Sequence, residues 1–147
     1  MIRKIELKDR HDYEEMAREF YSSEAVVSDV PDKSISDTFE EIINSSPFIQ
    51  GYMLISQDQG IAGYALVAKS YSQEAGGKVL WLEESFIKPS CRSQGLAFEF
   101  LTFMKEELTG NMKRIRLEVE GGNENALALY RRNGFEKLPY MQLIIDL

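Results

Sequence analysis

The sequence predicts one mixed α/β domain, residues 1–147, in which helices flank a central sheet. Two observations carry this prediction. Short segments with apolar residues at every second position alternate with longer segments of helical periodicity, in the order β-α-α-β-β-β-α-β-α-β. The length of 147 residues suits a single domain with a real core, and no linker, internal repeat or low-complexity tract divides the chain.

The first half of the chain is predicted to contain one strand, two helices and a hairpin. Asp9 can cap the first helix. Its apolar face carries Tyr13, Met16, Ala17 and Phe20. The predicted elements are a strand at 2–7, a helix from 9 to about 21, a loop at 22–33, a helix from Ser34 or Ser36 that ends at 45–47, and strands at 48–56 and 61–70.

The second half is predicted to alternate strands and helices. Asn123 can cap the second helix of this half, and Gly134 ends it. The predicted elements are a loop at 71–78, a buried strand at 79–88, a helix at 93–108, a strand at 113–119, a helix from 123 to about 133, and one or two last strands in 135–147 around Pro139.

The composition favours a soluble cytoplasmic protein. The 17 Lys and Arg against 24 Asp and Glu give a net charge of −7, which argues against a nucleic-acid partner because such binding needs a basic surface. No apolar run approaches 18 residues, so we expect no membrane partner. Residues 1–6 do not resemble a signal peptide, and Cys91 is the single cysteine. His11 is the single histidine, and one Cys with one His cannot form a typical tetrahedral zinc site, so none is expected.

The most informative segment lies between the strand at 79–88 and the helix that follows it. Residues 89–97 read Pro-Ser-Cys-Arg-Ser-Gln-Gly-Leu-Ala. A short turn that opens a helix presents free backbone N–H groups, and the helix dipole adds partial positive charge. Gly95 and Ala97 leave the turn bare enough for a phosphate, and Arg92 can add a charge-assisted hydrogen bond. The segment therefore predicts an anion site.

A second segment narrows the identity of that anion. The Rossmann and P-loop patterns are both absent. Residues 123–135 read Asn-Glu-Asn-Ala-Leu-Ala-Leu-Tyr-Arg-Arg-Asn-Gly-Phe. Together with 92–97, which matches [Q/R]-x-x-G-x-[G/A], this segment resembles the GNAT family of acyl-CoA-dependent N-acyltransferases. The order of elements fits as well, so the resemblance covers nearly the whole chain.

The resemblance implies a fold and a cofactor site. The sheet should be mostly antiparallel, with strands 79–88 and 113–119 as a parallel pair that splays apart to admit acetyl-CoA. Ser93 departs from the glycine frequent at its position, but Ser can also cap a helix. The implied cofactor residues are Phe86, Ile87 and Lys88 for the pantetheine arm, Arg92, Ser93, Gln94, Gly95, Leu96 and Ala97 for the pyrophosphate, and Asn123 in addition to its role as a cap.

Acyl transfer to an amine needs a base for the amine and an acid for the leaving thiolate. By the resemblance, Tyr130 is the acid, although its spacing also suits a core aromatic. Glu83 is the preferred base and Glu84 the second candidate; a salt bridge to Lys or Arg is the alternative for either. Neighbouring strand residues face opposite sides, so both carboxylates share a pocket only if the strand contains a bulge.

The acceptor pocket is expected from the loop at 22–33, the second helix and the loop at 71–78. Its candidate residues are Tyr21, Ser28, Asp29 and Glu74, an acidic set that suits an amine. The predicted function is direct acetyl transfer to a primary amine of a small molecule or peptide. A CoA-binding sensor without turnover and a nucleotide-binding protein are the alternatives, and a homodimer is an open expectation.

Overall fold

The computed structural model describes residues 1–24, 26 and 28–147. Its strands and α-helices are β1 (Ile2–Lys4), α1 (Arg10–Tyr21), α2 (Asp32–Ile43), β2 (Ile49–Ser56), β3 (Gly60–Ser72), β4 (Gly77–Ile87), α3 (Leu96–Phe103), β5 (Arg114–Leu117) and α4 (Glu124–Arg132). Short 3₁₀ turns lie at Leu7–Asp9 and Pro89–Cys91, and a π-helical turn, Met104–Leu108, continues α3. No helix in the described ranges is long and apolar enough to cross a bilayer.

The five strands form one mixed sheet in the order β1-β2-β3-β4-β5. The first three pairings are antiparallel, and β4 and β5 are parallel. This last pairing covers only Val79–Leu82 against Arg114–Leu117, after which β4 continues to Ile87 paired with β3 alone. The predicted fold class, a mostly antiparallel sheet with a parallel pair that separates at its carboxyl end, is therefore confirmed.

Helices cover both faces of the sheet and create two core layers. On one face, α1 and α2 pack through Tyr13, Met16 and Phe39 against the sheet. On the other face, α3 contributes Phe100 and Leu101 to the second layer. The apolar face predicted for the first helix is therefore the face that the structure buries. Complete burial of each large side chain contributes about 1.5–3 kcal/mol.

Asp9 precedes α1 as predicted, but its carboxylate does not cap that helix. The carboxylate accepts two hydrogen bonds from the Arg3 guanidinium, at 2.6 and 2.8 Å, and one from the Glu6 N–H at 2.8 Å. The hydrogen bond from Arg3 holds the pKa of this buried carboxyl below its ordinary value. A paired buried charge has replaced the predicted cap because the bidentate guanidinium satisfies both oxygens at once.

Two predicted helix starts differ from the structure. The second helix begins at Asp32, before Ser34, with Pro31 at the capping position. The third begins at Leu96 and not at Ser93, since Ser93 and Gly95 have φ values of 62° and 80°. Left-handed residues cannot continue a right-handed helix, so Ser93 belongs to the turn and does not cap α3.

The predicted strands in 135–147 are wrong. These residues, all of them described, form no strand, and most of the large apolar side chains in 140–147 are exposed. The Tyr140 hydroxyl donates to Glu74 at 3.0 Å and fixes the start of the segment. An alternating pattern makes a segment competent to pair, but a strand forms only where a partner supplies the hydrogen-bond ladder.

Candidate active site

A β-bulge in β4 places two neighbouring carboxylates at the point where β4 and β5 separate. The register pairs Leu66 with Glu84 and Val67 with Leu82, so Glu83 is the extra residue on β4. Leu82 packs in the α3 layer, whereas Glu84 contacts tyrosines of the α1 layer. The bulge therefore reverses the alternation of side chains, which is the condition under which both acids can lie on one side of the sheet.

Glu84 is held by two phenols. Tyr21 at the end of α1 and Tyr64 of β3 both donate to its carboxylate, Tyr64 at 2.8 Å. Burial raises the pKa of Glu84, and the two hydrogen bonds oppose that rise. Burial raises the pKa of Tyr21 as well, and the hydrogen bond to Glu84 and the charges of Glu84 and Glu83 raise it further.

Glu83 is more exposed than Glu84 and lies near Glu118, which follows the end of β5. Partial burial raises the pKa of Glu83, and the charges of Glu118 and Glu84 raise it further. A carboxylate with a raised pKa is a stronger base near neutral pH. Within the described residues, neither Glu83 nor Glu84 forms an ion pair with Lys or Arg. The alternative role of a salt bridge is therefore not observed for either carboxylate in this part of the chain.

The turn before α3 presents a row of backbone N–H groups. Within the described residues, no acceptor takes the N–H groups of residues 93–98, and the first α3 bond runs from Glu99 to Gly95. Ser93 and Gly95 occupy the left-handed region, and space beyond Gly95 is open, with nothing within 4 Å of a built Cβ. A bare row of donors at a helix start is suited to an anion.

Side chains around the turn fix its shape. The Arg92 Nε donates to the Ile87 carbonyl at 3.2 Å, and Gln94 accepts from the Ser56 hydroxyl at 3.2 Å. The Cys91 thiol is buried and donates to Gln59 at 3.2 Å, which is a structural role. Leu96 is buried under the turn, whereas Ala97 is partly exposed.

The end of β4 offers free backbone beside this turn. Phe86 is buried in the α1 layer, and Ile87 pairs with Gly63 of β3 on one edge only. Lys88 donates its N–H to the Ala62 carbonyl at 2.8 Å. Past Leu82, the other edge of β4 has no strand partner in the described ranges, so its backbone groups can pair with an extended chain.

Helix α4 starts after the end of β5 and carries the remaining candidates. The Asn123 side chain accepts from the Ala126 N–H at 3.2 Å, which confirms the predicted cap. Tyr130 is half-buried and lies edge-on to Phe135, with ring centroids 5.7 Å apart. Burial raises the pKa of Tyr130, so its phenol stays protonated, and no residue in the described part of the chain bonds its hydroxyl.

The structure brings two of the four predicted acceptor residues together. Tyr21 and Asp29 line one depression of about 400 Å³ on the α1–α2 side. Ser28 is exposed and does not line it. Two loop residues, 25 and 27, lie outside the described part of the chain.

Glu74 is misplaced in the prediction. It lies at the tip of the β3–β4 hairpin, at the opposite end of β4 from Glu83, and bonds Arg114 at 3.3 Å. The loop at 71–78 was predicted to line the pocket, but it is the turn of the β3–β4 hairpin and lies at the far end of the sheet. Two residues near the acids were missed. Glu118 could have been found because it lies in the predicted strand 113–119, the expected parallel neighbour of the strand that carries Glu83, but nothing in the sequence distinguishes Tyr64.

The mixed five-stranded sheet with its flanking helices is the α/β fold of acetyltransferase domains. The sequence matches the acetyltransferase (GNAT) family over residues 10–135, and the protein belongs to this family. Enzymes of the family use acetyl-CoA. Membership supports acetyl transfer as the general reaction.

Solved structures share the fold at low sequence identity. A possible acetyltransferase from Clostridium difficile 630 superposes with a TM-score of 0.82 at 14% identity, covering 100% of this chain and 97% of that one. The enzyme AAC(6')-Iy, in complex with the bisubstrate analog CoA-S-monomethyl-acetylneamine, gives 0.81 at 16% identity, with 100% and 97% covered. An integron cassette protein from the mobile metagenome of Cole Harbour Salt Marsh gives 0.80 at 20% identity, with 99% and 90% covered.

Proposed function

We propose that the protein transfers the acetyl group of acetyl-CoA directly to a primary amine of a small molecule or peptide. One observation carries this proposal. The separation of β4 from β5 is flanked by a row of free N–H groups at residues 93–98 and by the bulged acid pair Glu83 and Glu84. An anionic cofactor and a cationic acceptor can therefore meet at one gap in the sheet.

The residues present fit acetyl-CoA. The free N–H groups of Ser93 to Ala97 suit its pyrophosphate, whereas the Arg92 N–H already donates to the Pro89 carbonyl at 3.4 Å. The free edge of β4 near Phe86, Ile87 and Lys88 suits the amide groups of its pantetheine arm. Asn123, which caps α4 after the end of β5, is the remaining residue proposed to contact the cofactor. The acetyl thioester supplies the electrophilic carbonyl, and the chain supplies position and proton transfer.

Proton transfer is assigned to two side chains. The Glu83 carboxylate accepts a proton from the ammonium, which frees the nitrogen lone pair to attack the thioester carbonyl carbon. The carbon–sulfur bond then breaks, and the Tyr130 hydroxyl gives its proton to the leaving sulfur. The attacking nitrogen loses its second proton as the neutral amide forms, and this proton replaces the one that Tyr130 has given up. The raised pKa of Glu83 makes it a better base, and Tyr130, whose pKa is also raised, carries its proton until the sulfur takes it.

Glu84 is proposed to hold the acceptor side in place. Its two phenol contacts connect β4 to the end of α1, next to the depression lined by Tyr21 and Asp29. Carboxylates on this side favour a cationic acceptor. The aminoglycoside N-acetyltransferase among the similar structures, captured with a bisubstrate analog, adds support for a small-molecule amine.

A turnover screen tests the proposal. Thiol release from acetyl-CoA is measured across polyamines, aminoglycosides, amino acids and N-terminal peptides, with an amine-free blank for hydrolysis. We expect release that depends on one class of amine. Calorimetry with CoA, ATP and NAD separates the alternatives. Tight CoA binding without amine-dependent thiol release from any class would favour the sensor, and a preference for ATP or NAD over CoA would favour the nucleotide-binding protein.

A further inference from the structure

Trp81 of β4 and Arg116 of β5 form a stacked pair on the α1 side of the sheet. The two residues are register partners, and Trp81 is also paired with Ala68 of β3. Ala68 lies two residues from Leu66, which packs in the α1 core layer, so the side chains of this row share that face. Both members of the stacked pair are partly exposed, so solvent reaches this part of the face.

The stacked pair is fixed in orientation and leaves hydrogen-bond donors free. The Trp81 indole N–H donates to the Ser70 hydroxyl at 3.1 Å, and the Arg116 guanidinium carbon lies 4.2 Å from the indole centroid. Stacking uses the flat face of a guanidinium and leaves the N–H groups along its edge for in-plane hydrogen bonds. Within the described residues, Arg116 forms no hydrogen bond or ion pair, whereas Arg18 and Arg114 each pair with a carboxylate. These free donors are suited to a carboxylate.

The stacked pair lies close to the acids at the gap between β4 and β5. The next register pair, Leu82 with Leu117, is the last before the two strands separate. Glu83 and Glu118 follow on the two strands, and the charge of Glu118 contributes to the raised pKa of Glu83. Two residues of a strand span about 6–7 Å, so free guanidinium donors and carboxylates follow one another at about this spacing.

This arrangement of charges favours an acceptor that carries both signs. The carboxylates at the gap attract an amine, and the Arg116 guanidinium attracts an anion. A polyamine offers Arg116 no acceptor and brings a like charge towards it. An extended dipeptide spans about 7 Å between its amine and its carboxylate, which matches the spacing along the strands.

We propose that the acetyl acceptor carries a carboxylate as well as the amine, as a short peptide or an ω-amino acid does, and that Arg116 binds this carboxylate while the amine lies at Glu83. This specificity rests on the proposed acetyl transfer, because it names the class of acceptor for that reaction. Arg116 selects the acceptor and takes no part in proton transfer.

Matched acids and amides test the proposal. Glycylglycine is compared with glycylglycinamide, and 5-aminopentanoate with its amide, since each couple differs only in the carboxylate. We expect kcat/KM for the acid to exceed that for the amide by about 10–100-fold in at least one couple, as a hydrogen-bonded charge pair warrants. Arg116→Gln should abolish this preference by raising the KM of the acid, with its kcat and the turnover of the amide nearly unchanged.

Arg114→Gln is the matched control. Arg114 lies two residues earlier on the same strand and face, and it already pairs with Glu74 at 3.3 Å. Its substitution removes the same charge without touching the free guanidinium, so the preference for the acid should remain. Circular dichroism verifies that both variants keep the fold.

Binding is measured apart from turnover through Trp81. This residue is the single tryptophan of the chain, so tryptophan fluorescence reports on the stacked pair alone. In the CoA-bound protein, titration with the acid should change this fluorescence to saturation at a much lower concentration than titration with the amide. Arg116→Gln should remove the difference between acid and amide.

The two readouts separate the failure of this proposal from the failure of the proposed function. Turnover without preference for either acid, preference for pentane-1,5-diamine, or a preference that survives Arg116→Gln would overturn the carboxylate site and leave acetyl transfer in place. No turnover with any amine would overturn the proposed function, and the Trp81 titration would still decide the carboxylate site. If neither acid changed the fluorescence more than its amide, Arg116 would not be a carboxylate site.

Discussion

At the scale of single residues, a substitution at Tyr130 can distinguish a role in proton transfer from a role in packing. Its ring packs on Phe135 and its hydroxyl has no partner in the described residues. Tyr130→Phe keeps the ring and removes the proton, so we expect kcat to fall by about 10²-fold or more, with the KM for acetyl-CoA nearly unchanged. Steady-state kinetics with an amine found in the screen provide the measurement.

A matched variant controls for the loss of a buried phenol. Tyr52 is buried in the core, its pKa is also raised by burial, and its hydroxyl bonds Gln50 at 3.0 Å. Tyr52→Phe should leave kcat unchanged. If Tyr130→Phe retained full kcat on a verified substrate, its role would be that of a core aromatic.

The proposed role of Glu83 as the base predicts how kcat/KM depends on pH. A base must be deprotonated to act, and partial burial with the charges of Glu118 and Glu84 raises the pKa of Glu83. The wild-type kcat/KM should therefore fall as pH decreases, with a midpoint above the ordinary glutamate value. Glu83→Gln should remove this limb and lower kcat/KM by about 10²–10⁴-fold. Profiles from pH 5 to 9 with one amine throughout provide the measurement.

Glu118→Gln tests the cause of the shift. It removes the negative charge that contributes most to the raised pKa of Glu83, so this pKa should fall. The acid limb should move to lower pH while activity at high pH stays close to the wild type. An acid limb that persists in Glu83→Gln would assign the base to another group, with Glu84 first in order.

At the scale of elements, the turn before α3 stores backbone strain. Ser93 has φ of 62°, a region that costs a non-glycine residue about 1–2 kcal/mol. Ser93→Gly relieves this strain, but part of the gain in stability is lost because glycine increases the conformational entropy of the unfolded chain. Ser93→Gly should raise the free energy of unfolding by about 0.5–1 kcal/mol, measured by urea denaturation.

Ser45 is the matched position for this test. Its φ is 59°, and it follows α2 on the far side of the molecule from the turn. Ser45→Gly should stabilise by a similar amount and leave the affinity for CoA unchanged. A destabilised Ser93→Gly would show that the serine side chain supports the turn by a contact that outweighs the backbone strain.

Local patterns predicted most elements, and non-local pairing explains the failures. The buried strand at 79–88 and the cap at Asn123 were predicted from residues close together in sequence, and both are present in the structure. The strands in 135–147 were also predicted from the local sequence and did not form, since pairing needs a second strand at the right place. The bulge at Glu83 depends on the register with β3, which the sequence does not reveal. The sequence could therefore show that a bulge was needed for both acids to share a pocket, but not that the bulge exists.

At the scale of the whole molecule, ligand binding should stabilise the fold through mass action. A ligand that binds only the folded chain adds about 2.7 kcal/mol at 100 times its Kd. For a domain of this size, 1 kcal/mol corresponds to about 2–4 °C in Tm. CoA should therefore raise Tm by about 5–11 °C at that concentration. Pantetheine, which has no pyrophosphate, should give a much smaller rise at equal concentration.

Gly95 connects this global response to the turn. Its φ is +80°, and a Cβ would project into the open space beside the N–H row, where the pyrophosphate is proposed to lie. Gly110, just past the end of the same helix, has φ of +43° and equally open surroundings. Gly95→Ala and Gly110→Ala should therefore lower Tm by comparable amounts without ligand, since both strain a left-handed backbone. Only Gly95→Ala should also shrink the rise in Tm that CoA produces. If CoA raised Tm equally in the two variants, the turn would not be part of the cofactor site, because backbone strain alone would then explain the lower Tm of both.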